Sequence, residues 1–218
     1  MIKKILVGVL GILLIPVCVA FTISLYQQLV FVGDNPQNRI YFLLGVGVYL
    51  VVHLFFYVPG KLFDAEHKSL DAAVKWVTAG KVQKLNPQAT VKEDQVHPNV
   101  ILTLAPHFFP VYAVLFAFLY FAASLFWEVG SMIRPLLFLM GAGLVFHMVF
   151  TAQSLKTRHK KLIGSAYLLS ITLIYIFNVA IVTFAMSLLF KVISMKDFLA
   201  ASCGMTKDIY VDIFRQLF

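Results

Sequence analysis

Charged residues are scarce in this chain of 218: Asp, Glu, Lys and Arg together make up 13% of it. A soluble domain carries roughly a quarter, so the shortage excludes a water-exposed surface wrapped around an ordinary soluble core. Acidic groups are the scarcer sign, 10 against 18 Lys and Arg, which leaves a formal charge of +8. Cysteine is scarcer still. Only Cys18, in an apolar run, and Cys203, near the C-terminal end, are present. Two thiols so placed make neither a disulfide framework nor a Cys-rich zinc site; Cys18 reads as small apolar filler and Cys203 as an incidental thiol. Internal repeats and acidic residues within the apolar runs are also missing. Those are the usual marks of a coupled transporter, and without them a small transporter is a reading that nothing specific recommends.

What the chain has instead is apolar length. Hydrophobic residues make up 61% of it and its mean hydropathy is +0.88. Runs of about twenty apolar residues match the thickness of a bilayer core. The expected fold class is therefore an all-α polytopic membrane protein with one membrane domain over 1–190. It has about five transmembrane helices, near 5–26, 40–58, 100–127, 135–153 and 163–190. Pro16 predicts a kink in the first, which exceeds a typical signal-peptide core and is read as an uncleaved span. Pro59-Gly60 ends the second, since proline removes a helical donor and glycine accepts the reversed dihedral.

The basic residues sit between spans rather than in one stripe. With the N-terminus on the cytoplasmic side, twelve Lys and Arg fall on that side and two, Arg39 and Arg134, on the other; four lie in the tail. This is the positive-inside pattern, with contact to anionic lipid at the cytoplasmic face, and it argues against nucleic acid as the partner. The expected location is the inner membrane of a bacterium. Trp76 and Trp127 are placed as interfacial anchors.

Two segments are not spans. Residues 61–82 have apolar positions on one helical face and Lys61, Lys68 and Lys75 at seven-residue intervals on another, which predicts an amphipathic or partly inserted cytoplasmic helix. The polar stretch 83–99 follows it as a loop, with weak strand character at Ala89–Lys92. The tail, 191–218, offers Phe198, Leu199, Ile209, Ile213, Phe214 and Leu217 as an apolar face broken near Gly204. That predicts one or two short amphipathic helices on the membrane surface or on a partner.

Four histidines stand at span ends or beside them: His53, His67, His107 and His147. Imidazoles at similar depth could hold zinc or another transition metal, or serve as axial ligands of a b-type haem. Equally, each could hydrogen-bond within a wet bundle interior, above all near Pro106 and Pro110, whose rings break the helical ladder at the start of the third span. Asn178, near the middle of the fifth span, needs amide partners inside the bundle and reads as helix–helix glue.

The segment His67-Lys68-Ser69-Leu70-Asp71, followed by Ala79-Gly80-Lys81-Val82, resembles the motif helix of the site-2-protease-like family of intramembrane zinc metalloproteases. That family has His-Glu-x-x-His there and a small-Gly-basic-Val turn about ten residues on. Further resemblance to one bacterial branch lies in Ala105-Pro106-His107-Phe108-Phe109-Pro110, in His147-x-x-Phe150-Thr151-Ala152 and in Gly164-x-x-Tyr167-Leu168-Leu169-Ser170. In all it covers about His53 to Leu189. The zinc chemistry needs two histidines one helical turn apart and a Glu to activate water. Here Lys68 stands at the Glu position, Asp71 at the second His, and Lys161 where the resemblance puts the third ligand, an aspartate. A lysine cannot serve as that base and would repel a cation. The resemblance thus implies a divergent, non-catalytic member with no cofactor: a scaffold, assembly factor or complex subunit. It would hold another transmembrane protein in a cleft at Pro106, His107, Pro110 and Asn178. The alternative is a metal- or haem-binding redox protein built on the histidines.

Overall fold

The computed structural model describes residues 2–32, 37–55, 105–158 and 165–217, and every regular element among them is helical. Seven α-helices occur in order: α1, Ile2–Leu13; α2, Ile15–Leu29; α3, Asn38–Phe55; α4, Val111–Ser124; α5, Ile133–Arg158; α6, Ser165–Leu189; and α7, Met195–Leu217. Short 3-10 turns, Ala105–Phe108 and Gly130–Met132, precede α4 and α5. Four stretches are long and apolar enough to cross a membrane: Ile5–Leu29, Asn38–Phe55, Gly130–Leu155 and Tyr167–Leu189. The amphipathic helix expected at 61–82, its loop to residue 99 and Trp76 lie outside the described residues.

α1 and α2 form one apolar stretch with an interruption. Pro16 has no N–H, and its ring crowds the carbonyl four residues back. The helix breaks just upstream, at Leu14, whose φ and ψ are −80° and −10°. The chain keeps its direction, because Leu14 N–H donates to Leu10 and Cys18 N–H to Leu14, each at 3.1 Å.

The third expected span differs more. Among the described residues its helix, α4, has 14 residues, about 21 Å at 1.5 Å per residue. A bilayer core is about 30 Å thick. Four long apolar helices and this short one therefore stand where the apolar runs alone suggest about five spans.

Contacts between helices fix their relative directions. α1–α2 and α6 run parallel: Gly11 lies against Leu168 and Leu169, and Thr22 Oγ1 is 2.6 Å from Tyr175 Oη. α3 and α5 also run parallel, with Gly45 against Phe138, Tyr49 against Phe146 and His53 beside Gln153. α4 follows α6, since His107 sits by Asn178 and Tyr120 by Phe190. The packing thus alternates direction along the chain, α1–α2, α4 and α6 one way and α3 and α5 the other. One end of the bundle gathers Arg39 over the Tyr26 ring and Arg134 over the Tyr41 ring, at 5.0 and 5.4 Å.

The core lies where α2, α5 and α6 meet, around Leu25, Leu137, Met140, Val182 and Met186. Glycines set the distance between α5 and its neighbours. A β-carbon at Gly45 would fall on the carbonyl oxygen of Phe138, and one at Gly141 on that of Phe42, so the α3 and α5 backbones touch. Gly143, two residues on and therefore on the opposite face of α5, meets Ala113 of α4.

The C-terminal segment departs from expectation. It is one continuous helix, unbroken at Gly204, and it runs antiparallel to the first span instead of standing apart from the bundle. Phe198 packs edge-on against Phe21 with ring centres 5.2 Å apart, and the Tyr210 hydroxyl donates to the Leu13 carbonyl. The inward face is mixed in character, with Phe198 and Ser202 fully buried and Met205, Thr206 and Tyr210 partly so. Leu199, Ile213, Phe214 and Leu217, chosen from hydropathy as part of the packing face, are exposed. The packing face is set by small and polar positions beside Phe198, with Ser202 fully buried on it, so hydropathy alone does not mark it.

Candidate functional site

Proline chemistry builds the centre of the molecule. Pro110 has no N–H to donate toward the carbonyl of Pro106, and Pro106 has none of its own. The chain enters α4 through the 3-10 turn Ala105–Phe108 and leaves the helical ladder at Phe109 and Pro110, the latter with φ −79° and ψ 79°. This break puts a backbone carbonyl, that of His107, into the interior with side chains as its partners. His147 Nε2 on α5 donates to it at 3.0 Å, and Asn178 Nδ2 on α6 donates at 3.1 Å. Asn178 Nδ2 uses its other hydrogen on the Ile174 carbonyl at 2.7 Å.

These contacts settle two hydrogen assignments. A carbonyl can only accept, so His147 carries a proton on Nε2. Turning the Asn178 amide would set its oxygen against two carbonyl oxygens, so the orientation with nitrogen facing both is the stable one. Asn178 Oδ1 has no hydrogen-bond partner among the described residues. His107, His147 and Asn178 are all 0% exposed, and the arrangement ties α4, α5 and α6 together at one backbone atom.

His53 lies elsewhere, at the far ends of α3 and α5. Its Nε2 is 3.3 Å from Gln153 Nε2, and its ring meets Phe150 edge-on at 5.8 Å. Among the described residues no three His, Cys, Asp or Glu side chains stand close enough to hold a metal ion. The degenerate motif, His67, Lys68 and Asp71, and the position of Lys161 lie outside the described residues. Of the residues assigned to a partner cleft, His107 and Asn178 are brought together and, like Pro110, are buried; the Pro106 side chain lies outside the described residues. They close the interior rather than line an opening.

An opening does exist beside them. α3, α4 and α5 enclose a groove of about 270 Å³ lined by Tyr49, Tyr112, Phe116, Leu139, Ala142, Gly143 and Phe146. Aromatic edges shape its sides, with Tyr49 and Tyr112 each meeting Phe146 at 5.7 and 5.2 Å. Its lining is aromatic and aliphatic, so it suits an apolar segment or chain and offers nothing to a charged ligand. The groove is not visible in the sequence as a motif; Gly141 and Gly143 signal close helix approach without saying which face stays open.

Comparison of the chain with models of known protein families, with curated proteins and with solved structures finds no match.

Proposed function

We propose that this chain is an integral membrane protein, residing in the inner membrane of a bacterium with its N-terminus in the cytoplasm. In this reading it acts without catalysis, as a scaffold, assembly factor or subunit that holds a transmembrane segment of another protein. The observation that carries the reading is the apolar groove on α5 between α3 and α4. A groove at the level of the spans, with no charged group in its lining, is a seat for a hydrophobic helix. The orientation rests on the positive-inside count, and the same basic residues would meet anionic lipid.

The non-catalytic reading rests on the resemblance to site-2-protease-like proteins, in which Lys68, Asp71 and Lys161 replace the base and two ligands. The buried triad is consistent with it. His147 and Asn178 spend their donors on a backbone carbonyl, a structural task that holds the broken third span in place. The groove alongside would then keep a partner helix that no zinc centre cuts.

The test uses protein purified gently from its native membrane. Leu139→Trp places an indole in the groove, while Leu188→Trp adds the same bulk on the exposed side of α6. A fixed set of membrane proteins should accompany the wild type and Leu188→Trp and be lost from Leu139→Trp. Equal retention by all three chains overturns the groove as the seat. One zinc per chain with cleavage of a transmembrane substrate overturns the non-catalytic reading.

A further inference from the structure

The outer face of α7 carries charge at a level where the rest of the bundle is apolar. Phe198 against Phe21 and Tyr210 against Leu13 bracket the packing of α7 on the first apolar stretch, Ile5–Leu29. Between those brackets lie Lys207 and Asp208, level with the middle of that stretch, and both are exposed. They point away from their own bundle. Charge at such a depth persists where another group neutralises it, and among the described residues no ion pair engages either side chain.

The arrangement of the two charges is self-complementary. Lys207 and Asp208 are neighbours of opposite sign, about 100° apart around the helix at 3.6 residues per turn, so they straddle one outward line. Gly204 lies on that line one turn earlier, and no atom comes within 4 Å of the position of a β-carbon there. Two copies of a membrane protein inserted the same way are related by a twofold axis along the membrane normal, so their equivalent helices run parallel with equal residues at equal depth. Such a pair of α7 helices sets Lys207 of each copy beside Asp208 of the other. Two reciprocal ion pairs form in one step, and the bare backbone at Gly204 lets the helices approach. A face of one sign could not complement itself in this way.

We propose that α7 is a homodimer seam, in which a second copy of this chain docks parallel on its outer face through reciprocal Lys207–Asp208 pairs. The seam shares no residue with the groove on α5 and does not depend on it.

The test reconstitutes the full chain in lipid bilayers and measures association by energy transfer between labelled copies. The wild type should dimerise. Lys207→Asp and Asp208→Lys should each weaken dimerisation at least tenfold, and the double reversal should restore it. The two single variants, mixed, should form a heterodimer more readily than either forms a homodimer. A wild type that stays monomeric at every protein-to-lipid ratio overturns the proposal. So does a dimer indifferent to both single reversals.

Discussion

The α3–α5 contact gives the sharpest test of the packing. A β-carbon at Gly45 would fall on the Phe138 carbonyl oxygen, 2.8 Å from its carbonyl carbon and 3.0 Å from Ala142 N. Favourable contact between carbon atoms begins at about 3.5 Å. The obstructing atoms are backbone and cannot turn aside, so Gly45→Ala must move α3 off α5 by roughly an ångström or more at that turn. A gap of about 0.5–1 Å forfeits a quarter to a half of each contact across it. Overpacking of this kind costs about 1–3 kcal/mol, and the helix preference of Ala over Gly returns up to about 1 kcal/mol. The net expectation is a loss of roughly 1–2 kcal/mol. Gly141→Ala meets the Phe42 carbonyl and should cost a similar amount. The double variant should lose less than the sum, because the first separation relieves the second. Gly47 has nothing within 4 Å of its β-carbon position, so Gly47→Ala should be neutral or stabilising by up to about 1 kcal/mol. Unfolding by denaturing detergent, followed by helical circular dichroism, reads all four. Equal stability of Gly45→Ala and Gly47→Ala would refute the close approach.

Further outcomes follow from the polar contacts. Asn178→Leu and His147→Leu each remove one donor from the His107 carbonyl and should cost about 0.6–1.7 kcal/mol, the range for hydrogen bonds between membrane helices. Their effects should be non-additive in a double-mutant cycle, because the two donors share one acceptor. Phe198→Ala empties a fully buried site between α7 and α2 and should cost about 3 kcal/mol; protease should then cut α7 in detergent faster than in the wild type. Tyr210→Phe loses the bond to the Leu13 carbonyl and should raise amide exchange in the last turns of α7 without changing helix content.

Much of the architecture is legible in the apolar runs, because a bilayer imposes one length on every helix that crosses it. The runs at 135–153 and 163–190 correspond to α5 and α6. α5 continues to Arg158 since hydropathy marks where lipid would end and not where the helix does. The run at 100–127 overstates its helix, because Pro106 and Pro110 are apolar to a hydropathy scale and disruptive to a backbone ladder. His107, His147 and Asn178 are each recognisable as polar groups needing partners, but His107 and Asn178 are 71 positions apart. Their meeting at one carbonyl is a product of packing. α7 is the least legible element. Its inward face mixes Phe198 with Ser202, Thr206 and Tyr210, so a search for an apolar stripe selects Leu199 and Phe214 on the wrong side.

The most direct test of the central claim is photo-crosslinking in native membranes from a benzophenone amino acid at Tyr112, inside the groove, with Leu188 as the control on the exposed side of α6. A groove that seats a partner helix predicts a discrete protein adduct from Tyr112, mapping to the apolar segment of one other membrane protein and absent from Leu188. Adducts to lipid alone at Tyr112, or the same protein adducts from both positions, would contradict it.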